Sequence, residues 1–213
     1  MIKVLLVDDH YIVVDGIRRV LEDVDGIQVV DVVKSGEDAV KQSKTLSPDV
    51  VLMDVHMPGI GGLGATKEIK RICPRVKVIA LTALDDSLYP VKLLEAGASG
   101  YISKGTNSDC LIEAIQAVAQ GGHYISNDIA QKMALSKVSL NGQGSPLEQL
   151  SDRELQVAQM IIDCKKPHEI AEQLVVSPKT VSTYRTRIFS KLNIEGDVEL
   201  MHLAMRYKVL GMG

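Results

Sequence analysis

Short unbroken apolar runs alternate with longer stretches of helical periodicity through the first half of the chain. Ile2–Val7 is apolar apart from Lys3, Ile27–Val33 is rich in Val, Asp49–Met53 reads Asp-Val-Val-Leu-Met, and Val76–Leu81 reads Val-Lys-Val-Ile-Ala-Leu. Tyr101-Ile102 is a weaker fifth candidate after Gly97 and Gly100. Runs that do not alternate with polar residues belong to strands buried on both faces. Between them lie segments of helix length, at about 11–24, 36–46, 63–73, 86–96 and 107–120. The order predicts an α/β domain: a doubly wound, five-stranded parallel sheet with helices on both faces.

After Gly121-Gly122 the pattern changes. Asn127–Ser136 reads as one short helix, and Lys137–Pro146 as a polar, Gly-containing linker. From Leu150 onward the periodicity is helical throughout, which predicts an all-α domain of four helices. Ser151-Asp152-Arg153-Glu154 is a capping box opening a helix to about Asp163, and a second helix covers about His168–Leu174. Ser177-Pro178 sets an N-cap before Pro at the first position of a long helix ending near Leu192. A fourth runs from about Gly196 to Tyr207. The expected division is 1–122, a short helix and linker over 123–147, and a helical domain over 148–213.

Composition narrows the class of protein. The chain has 213 residues, 46% apolar and 24% charged, so it can hold two small cores. No apolar run reaches the ~20 residues of a membrane span, and the first residues do not read as a signal peptide. Cys73, Cys110 and Cys164 are odd in number and lack metal-ligand spacing, which points to a reducing cytoplasm. One Phe and no Trp disfavour extensive base stacking. The net charge of −3 hides an asymmetry. Residues 1–125 hold 13 Lys+Arg against 17 Asp+Glu, whereas residues 150–213 hold 9 against 8.

Ligands of parallel α/β sheets sit beyond the carboxyl ends of the strands. Asp8 and Asp9 follow the first strand, Asp54 ends the third, Thr82 ends the fourth and Lys104 follows the fifth. Three carboxylates at one edge repel one another and call for a cation. An octahedral Mg²⁺ that keeps several waters suits them. A nearby Lys offers a point charge to an incoming phosphate, and a Thr hydroxyl can donate to a phosphoryl oxygen. The chemistry that uses all five is phosphoryl transfer onto an aspartate.

Asp8-Asp9-His10, Asp54 with Met57-Pro58-Gly59, Leu81-Thr82-Ala83 and Ser103-Lys104-Gly105 resemble the receiver domain of two-component response regulators, the CheY-like fold. That resemblance covers residues 1 to about 122. It implies that Asp54 is the phosphoacceptor and that a sensor histidine kinase is the donor. It further implies Mg²⁺ held by Asp9, Asp54 and the backbone carbonyl of His56, with Asp8 acting through water. Thr82 and Lys104 would read the phosphate. Tyr101 stands at the family's switch position, expected to turn inward when Thr82 is drawn to the phosphoryl group. Gly105 replaces a frequent Pro, and Gly64 places a poor helix former near a helix start. Gly59–Gly64 satisfies G-x-G-x-x-G but is displaced from its strand by Met57-Pro58, so it reads as a turn. The five histidines show no zinc spacing and read as solvated or locally bonded, His10 and His56 lining the acidic edge only by adjacency.

The helix at 178–192 unrolls at about 100° per residue. Val181, Ile188, Leu192 and Tyr184 share a core face, and Lys179, Ser182, Thr183, Thr186 and Ser190 lie opposite, flanked by Arg185 and Arg187. Ser177–Lys191 holds four cations and no acid, whereas ordinary solvated faces mix signs. Small polar groups can reach base edges while flanking cations hold phosphates. Leu150–Glu154, Glu169-Ile170-Ala171, Ser177–Val181 and Lys191-Leu192-Asn193 resemble the LuxR-type helix-turn-helix of NarL/FixJ regulators. The runs Met57–Leu63 and Phe189–Leu200 are similar to those of the GacA/UvrY/LetA group. By that resemblance 178–192 is the recognition helix. Lys179, Thr180, Ser182, Thr183 and Thr186 would face DNA, and Arg185, Arg187 and Lys191 would favour phosphates. Cys164 departs from the family, standing where Gly is usual after the first helix.

The two resemblances together imply a cytoplasmic, non-enzymatic transcription factor. Phosphorylation of Asp54 would switch it, promoter DNA would be its target, and the phosphorylated form would be a homodimer. Two rival classes share some of these residues. One is a phosphohydrolase turning over at Asp54, for which His56 stands where a general acid would be needed. The other is a protein-binding module without phosphorylation.

Overall fold

The computed structural model describes residues 1–82, 89–139 and 145–207. The described residues form two compact units, one of residues up to Lys132 and one from Met133 onward.

In the first unit the strands are β1 (Ile2–Val7), β2 (Ile27–Val33), β3 (Val50–Asp54), β4 (Lys77–Thr82), β5 (Gly100–Ser103) and β6 (Tyr124–Ile125). They form one parallel sheet in the order β2-β1-β3-β4-β5-β6. The sixth strand was not expected. It has two residues, too short to carry a period, and it takes up the backbone edge of β5 through Gly100↔Tyr124 and Tyr101↔Ile125.

Successive strand residues serve opposite faces, as the period of two requires. Val4, Leu6, Val50, Leu52, Ile79 and Leu81 pack against α1 (Tyr11–Glu22) and α5 (Ser108–Ala119) through Leu21, Leu111, Ala114, Ile115 and Val118. Leu5, Val7, Val51, Met53 and Val78 pack against α2 (Gly36–Leu46) and α3 (Gly61–Ile72) through Ala39, Ala65 and Ile69. A further helix, α4 (Tyr89–Glu95), lies beside α3. The start of the expected 86–96 helix and Ala83 lie outside the described residues.

The glycine run acquires a reason. Helix α3 begins two residues earlier than its periodicity suggested, and a Cβ on Gly62 would collide with the Asp54 carbonyl oxygen. Absence of a side chain lets the first turn of α3 close directly onto the end of β3, sealed by Gly62 N–H donating to Val55 O at 3.1 Å.

Helix α6 (Asn127–Ser139) continues three residues beyond the expected stop, into the stretch read as linker. Residues 140–144 lie outside the described part. A 3-10 turn, Pro146–Gln149, capped by Ser145, then leads into α7 (Asp152–Ile162), α8 (Pro167–Gln173), α9 (Pro178–Leu192) and α10 (Asp197–Arg206). Both expected caps form: Glu154 N–H donates to Ser151 Oγ while Ser151 N–H donates to Glu154 Oε2 at 2.8 Å, and Thr180 N–H donates to Ser177 Oγ at 3.1 Å. Leu155, Val157, Ala158, Ile161, Ile170, Val181, Ile188 and Leu200 are buried and make the core. Among the described residues no helix is long and apolar enough to cross a membrane.

Helix α7 ends in a Schellman turn. Cys164 N–H donates to Ile161 O at 2.9 Å and Lys165 N–H to Met160 O at 3.0 Å, with Cys164 at φ 59°. The left-handed region costs a residue with a Cβ about 1–2 kcal/mol, and glycine gives back about 0.5–1 kcal/mol of that in chain entropy. Cys164→Gly is therefore expected to stabilise this unit by about 0.5–1 kcal/mol. Hydrogen exchange of the α7 amides in the intact chain checks this. The expected result is slower exchange in the variant.

Candidate functional sites

Strand order places the ends of β1, β3, β4 and β5 side by side, and with them the acidic edge. Asp8 and Asp54 are buried, Asp9 and His10 are exposed, and the four offer ligand atoms all within 4.8 Å of one another. Lys104 Nζ bridges the buried pair, at 2.7 Å from Asp8 Oδ2 and 2.9 Å from Asp54 Oδ1. The backbone fixes this lysine, because its N–H donates to Thr82 O at 2.7 Å. His56 N–H donates to Asp54 Oδ1 at 3.3 Å.

Burial pushes the Asp54 carboxyl above its ordinary value, and the charge of Asp8 adds to the rise. The Lys104 ammonium and the His56 amide act against both. Burial works to lower the Lys104 ammonium, but Asp54 and Asp8 outweigh it and hold the group above its ordinary value. Asp54 Oδ2 is buried and has no hydrogen-bond partner. A buried carboxylate oxygen left in that state is costly unless a cation or donor meets it. The donor set, carboxylates at an open strand edge, fits a hard divalent cation.

Thr82, buried at the end of β4, pairs in register with Ser103. Tyr101 on β5 pairs with Ala80 and is fully buried, so its ring lies in the inward position. The rings of His56 and Tyr89 meet nearly perpendicular, with centroids 5.1 Å apart. His10, expected to be solvated or locally bonded, is exposed and bonded to Asp8. Its Nδ1 lies 3.1 Å from Asp8 Oδ1, 3.0 Å from Asp9 Oδ1 and 3.9 Å from Asp54 Oδ2. The only sequence signal was its adjacency to the two acids.

In the second unit, α9 buries Val181, Ile188 and Leu192 and exposes Lys179, Ser182, Thr183, Thr186 and Arg187. Thr183 and Thr186 hydroxyls donate to the carbonyls of Lys179 and Ser182, and the Thr180 hydroxyl is shared with Ser177. Two of the eight expected DNA-contacting residues are tied to neighbouring helices. Arg185 donates to Asp197 Oδ2 at 2.8 Å and lies over the Phe189 ring, and Lys191 reaches Glu154 Oε2 at 2.6 Å. A helix wheel shows the angle of a residue, not the partner its long side chain finds on the next helix.

Glu154 thus joins the α7 cap to α9. Burial alone would raise its carboxyl; the Lys191 ion pair and the Ser151 hydrogen bonds outweigh burial and hold it below the ordinary value. A depressed folded-state value means stability that is present above the unfolded pKa, about 4.3, and lost as pH falls through the folded value. Glu154→Ala removes half of the cap and leaves Lys191 unpaired, an expected cost of about 2 kcal/mol. Hydrogen exchange at α7 and α9 in the intact chain checks it. An unchanged exchange rate would contradict the linking role given to Glu154.

Comparison with known proteins finds a family match within each unit. Residues 4–116 match the response regulator receiver domain, and residues 148–204 match the luxR family of bacterial regulatory proteins. The chain belongs to the response regulators that join a receiver to a LuxR-type DNA-binding domain. It is 55% identical to the response regulator UvrY of Escherichia coli strain K12 over 207 residues, 97% of this chain and 95% of that protein. It is 51% identical to the response regulator GacA of Pseudomonas syringae pv. syringae, over 97% of each chain. A solved structure of RcsB from Salmonella enterica serovar Typhimurium, bound to promoter rprA in the presence of phosphomimetic BeF3−, superimposes with a TM-score of 0.68 at 27% identity, covering 95% of this chain and 97% of that one.

Proposed function

We propose that Asp54 accepts a phosphoryl group from the phosphohistidine of a sensor kinase, and that this switches promoter binding by α9. A carboxylate oxygen of Asp54 attacks phosphorus, an oxygen–phosphorus bond forms, and the phosphorus–nitrogen bond to the donor histidine breaks. The observation that carries this reading is the buried Asp54 carboxylate, bridged to Asp8 by Lys104 and left with one unpartnered oxygen. Lys104 is placed to follow the transferred oxygens, and the Thr82 hydroxyl to bind one of them. Tyr101, on the strand beside Thr82, is the aromatic that reads the shift. Asp9, Asp54 and the His56 carbonyl would hold Mg²⁺ directly and Asp8 through water. When bound, that ion neutralises charge developing on the phosphoryl oxygens.

The added charge of about −1.5 to −2 biases the receiver, taken as residues 1–122, toward a conformation that forms a homodimer. Residues 148–213 then read paired half-sites, with 123–147 as connector. Lys179, Ser182, Thr183 and Thr186 face the bases, Thr180 contacts the DNA beside them, and Arg187 faces a phosphate. Arg185 and Lys191 would have to leave Asp197 and Glu154 to reach the backbone. The RcsB relative bound to promoter DNA in the presence of BeF3− supports this order of events. The protein acts in the cytoplasm as a switch, not by turnover. The direct test is incubation of the chain with a small acyl phosphate donor. The expected result is one Mg²⁺-dependent, hydroxylamine-labile phosphoryl group per chain. Uptake that ignores Mg²⁺, or none, would contradict it.

A further inference from the structure

We propose that the His10 imidazole is itself a ligand of the divalent cation at the acidic edge, tuning that site toward nitrogen-accepting transition metals relative to Mg²⁺. This rests on the metal reading above and goes beyond it, since the ligands implied there are all oxygens.

His10 stands at the N-cap of α1, where a side chain ordinarily binds first-turn amides, yet its imidazole makes no capping bond. Instead Nδ1 turns to the carboxylates. Lys104 occupies Asp8 Oδ2 and Asp54 Oδ1. The oxygens nearest Nδ1 are the others, Asp8 Oδ1, Asp9 Oδ1 and Asp54 Oδ2, and the last of these is buried without a hydrogen-bond partner. Asp8, Asp9, His10 and Asp54 therefore each offer a ligand atom within 4.8 Å of the other three.

The spacing suits a shared ion. Ligands at right angles around a cation with bonds of about 2.1 Å stand about 3 Å apart, and Nδ1 lies 3.0 Å from Asp9 Oδ1, a carboxylate that would ligate directly. Oxygen-only sets suit Mg²⁺ and Mn²⁺, whereas imidazole favours Ni²⁺, Zn²⁺ and Cu²⁺. The same distances also admit a hydrogen bond from imidazole to carboxylate. The two arrangements have opposite consequences: a ligand adds affinity, while a hydrogen-bonded imidazole must be displaced and so competes with the metal.

Calorimetric titration of the untagged full-length chain with Mg²⁺ and with Ni²⁺ separates them, using wild type, His10→Ala and His10→Asn. If His10 ligates, the Ni²⁺-to-Mg²⁺ affinity ratio falls about tenfold or more in both variants, the scale of loss seen when a metal's ligand environment is disturbed. Pulsed EPR of bound Mn²⁺ then shows imidazole nitrogen coupling in wild type and none in His10→Ala. An unchanged ratio, or Ni²⁺ binding that tightens when His10 is removed, overturns the proposal. Wild-type protein that binds neither ion, or binding that survives Asp9→Ala with Asp54→Ala, overturns the metal reading itself.

Discussion

Asp54→Asn lowers phosphoryl uptake from a small donor by at least about a thousandfold, the scale expected when a covalent nucleophile is removed. The amide matches the carboxylate in shape, so the fold of β3 and the turn into α3 persist. It differs in the property that matters, having no anionic oxygen to attack phosphorus. Lys104 would then pair with Asp8 alone, and one of three clustered negative charges would be gone. The variant is therefore expected to be at least as stable as wild type while inert to the donor. Burial already disfavours the Asp54 carboxylate, so its removal relieves a strained arrangement. Radiolabel incorporation read beside thermal unfolding checks both halves. Residual incorporation at the wild-type rate would place the phosphoryl group elsewhere.

Lys179→Ala combined with Arg187→Ala weakens promoter binding about tenfold or more and flattens its salt dependence. Each phosphate-neutralising cation contributes about one unit to the slope of log K against log salt concentration. Among the described residues these two cations of α9 have no ion pair to a neighbouring helix, whereas Arg185 and Lys191 are held by Asp197 and Glu154. The contrast is itself measurable. Arg185→Ala and Lys191→Ala should act first on stability, because each strands a carboxylate, and only secondarily on DNA affinity. Anisotropy titrations at several salt concentrations separate the two classes. Equal loss of affinity with equal change of slope from all four would show that the ion pairs open on DNA.

Most of this architecture was legible from pattern. The apolar runs at Ile2–Val7, Ile27–Val33, Asp49–Met53 and Val76–Leu81 became β1 to β4 within a residue or so, because strands buried on both faces tolerate few polar residues. Asp8, Asp54, Thr82 and Lys104 met at one edge because parallel strands all end there. What escaped depended on contacts rather than periods. Strand β6 exists only through the edge of β5. The need for glycine at position 62 follows from the Asp54 carbonyl it faces, a neighbour no local pattern reveals. His10 sits next to two acids in sequence, but which of their oxygens its ring meets shows only in the folded chain. Long cations on α9 found partners on α7 and α10, which are distant in sequence and near in space.

On the proposed switch, phosphorylation of Asp54 governs where α9 binds. Genome-wide DNA occupancy of wild-type protein and Asp54→Asn, expressed at equal levels with the donor kinase active, tests it most directly. Discrete promoter sites are expected for wild type, with their loss or deep reduction in the variant. Identical occupancy maps would contradict it.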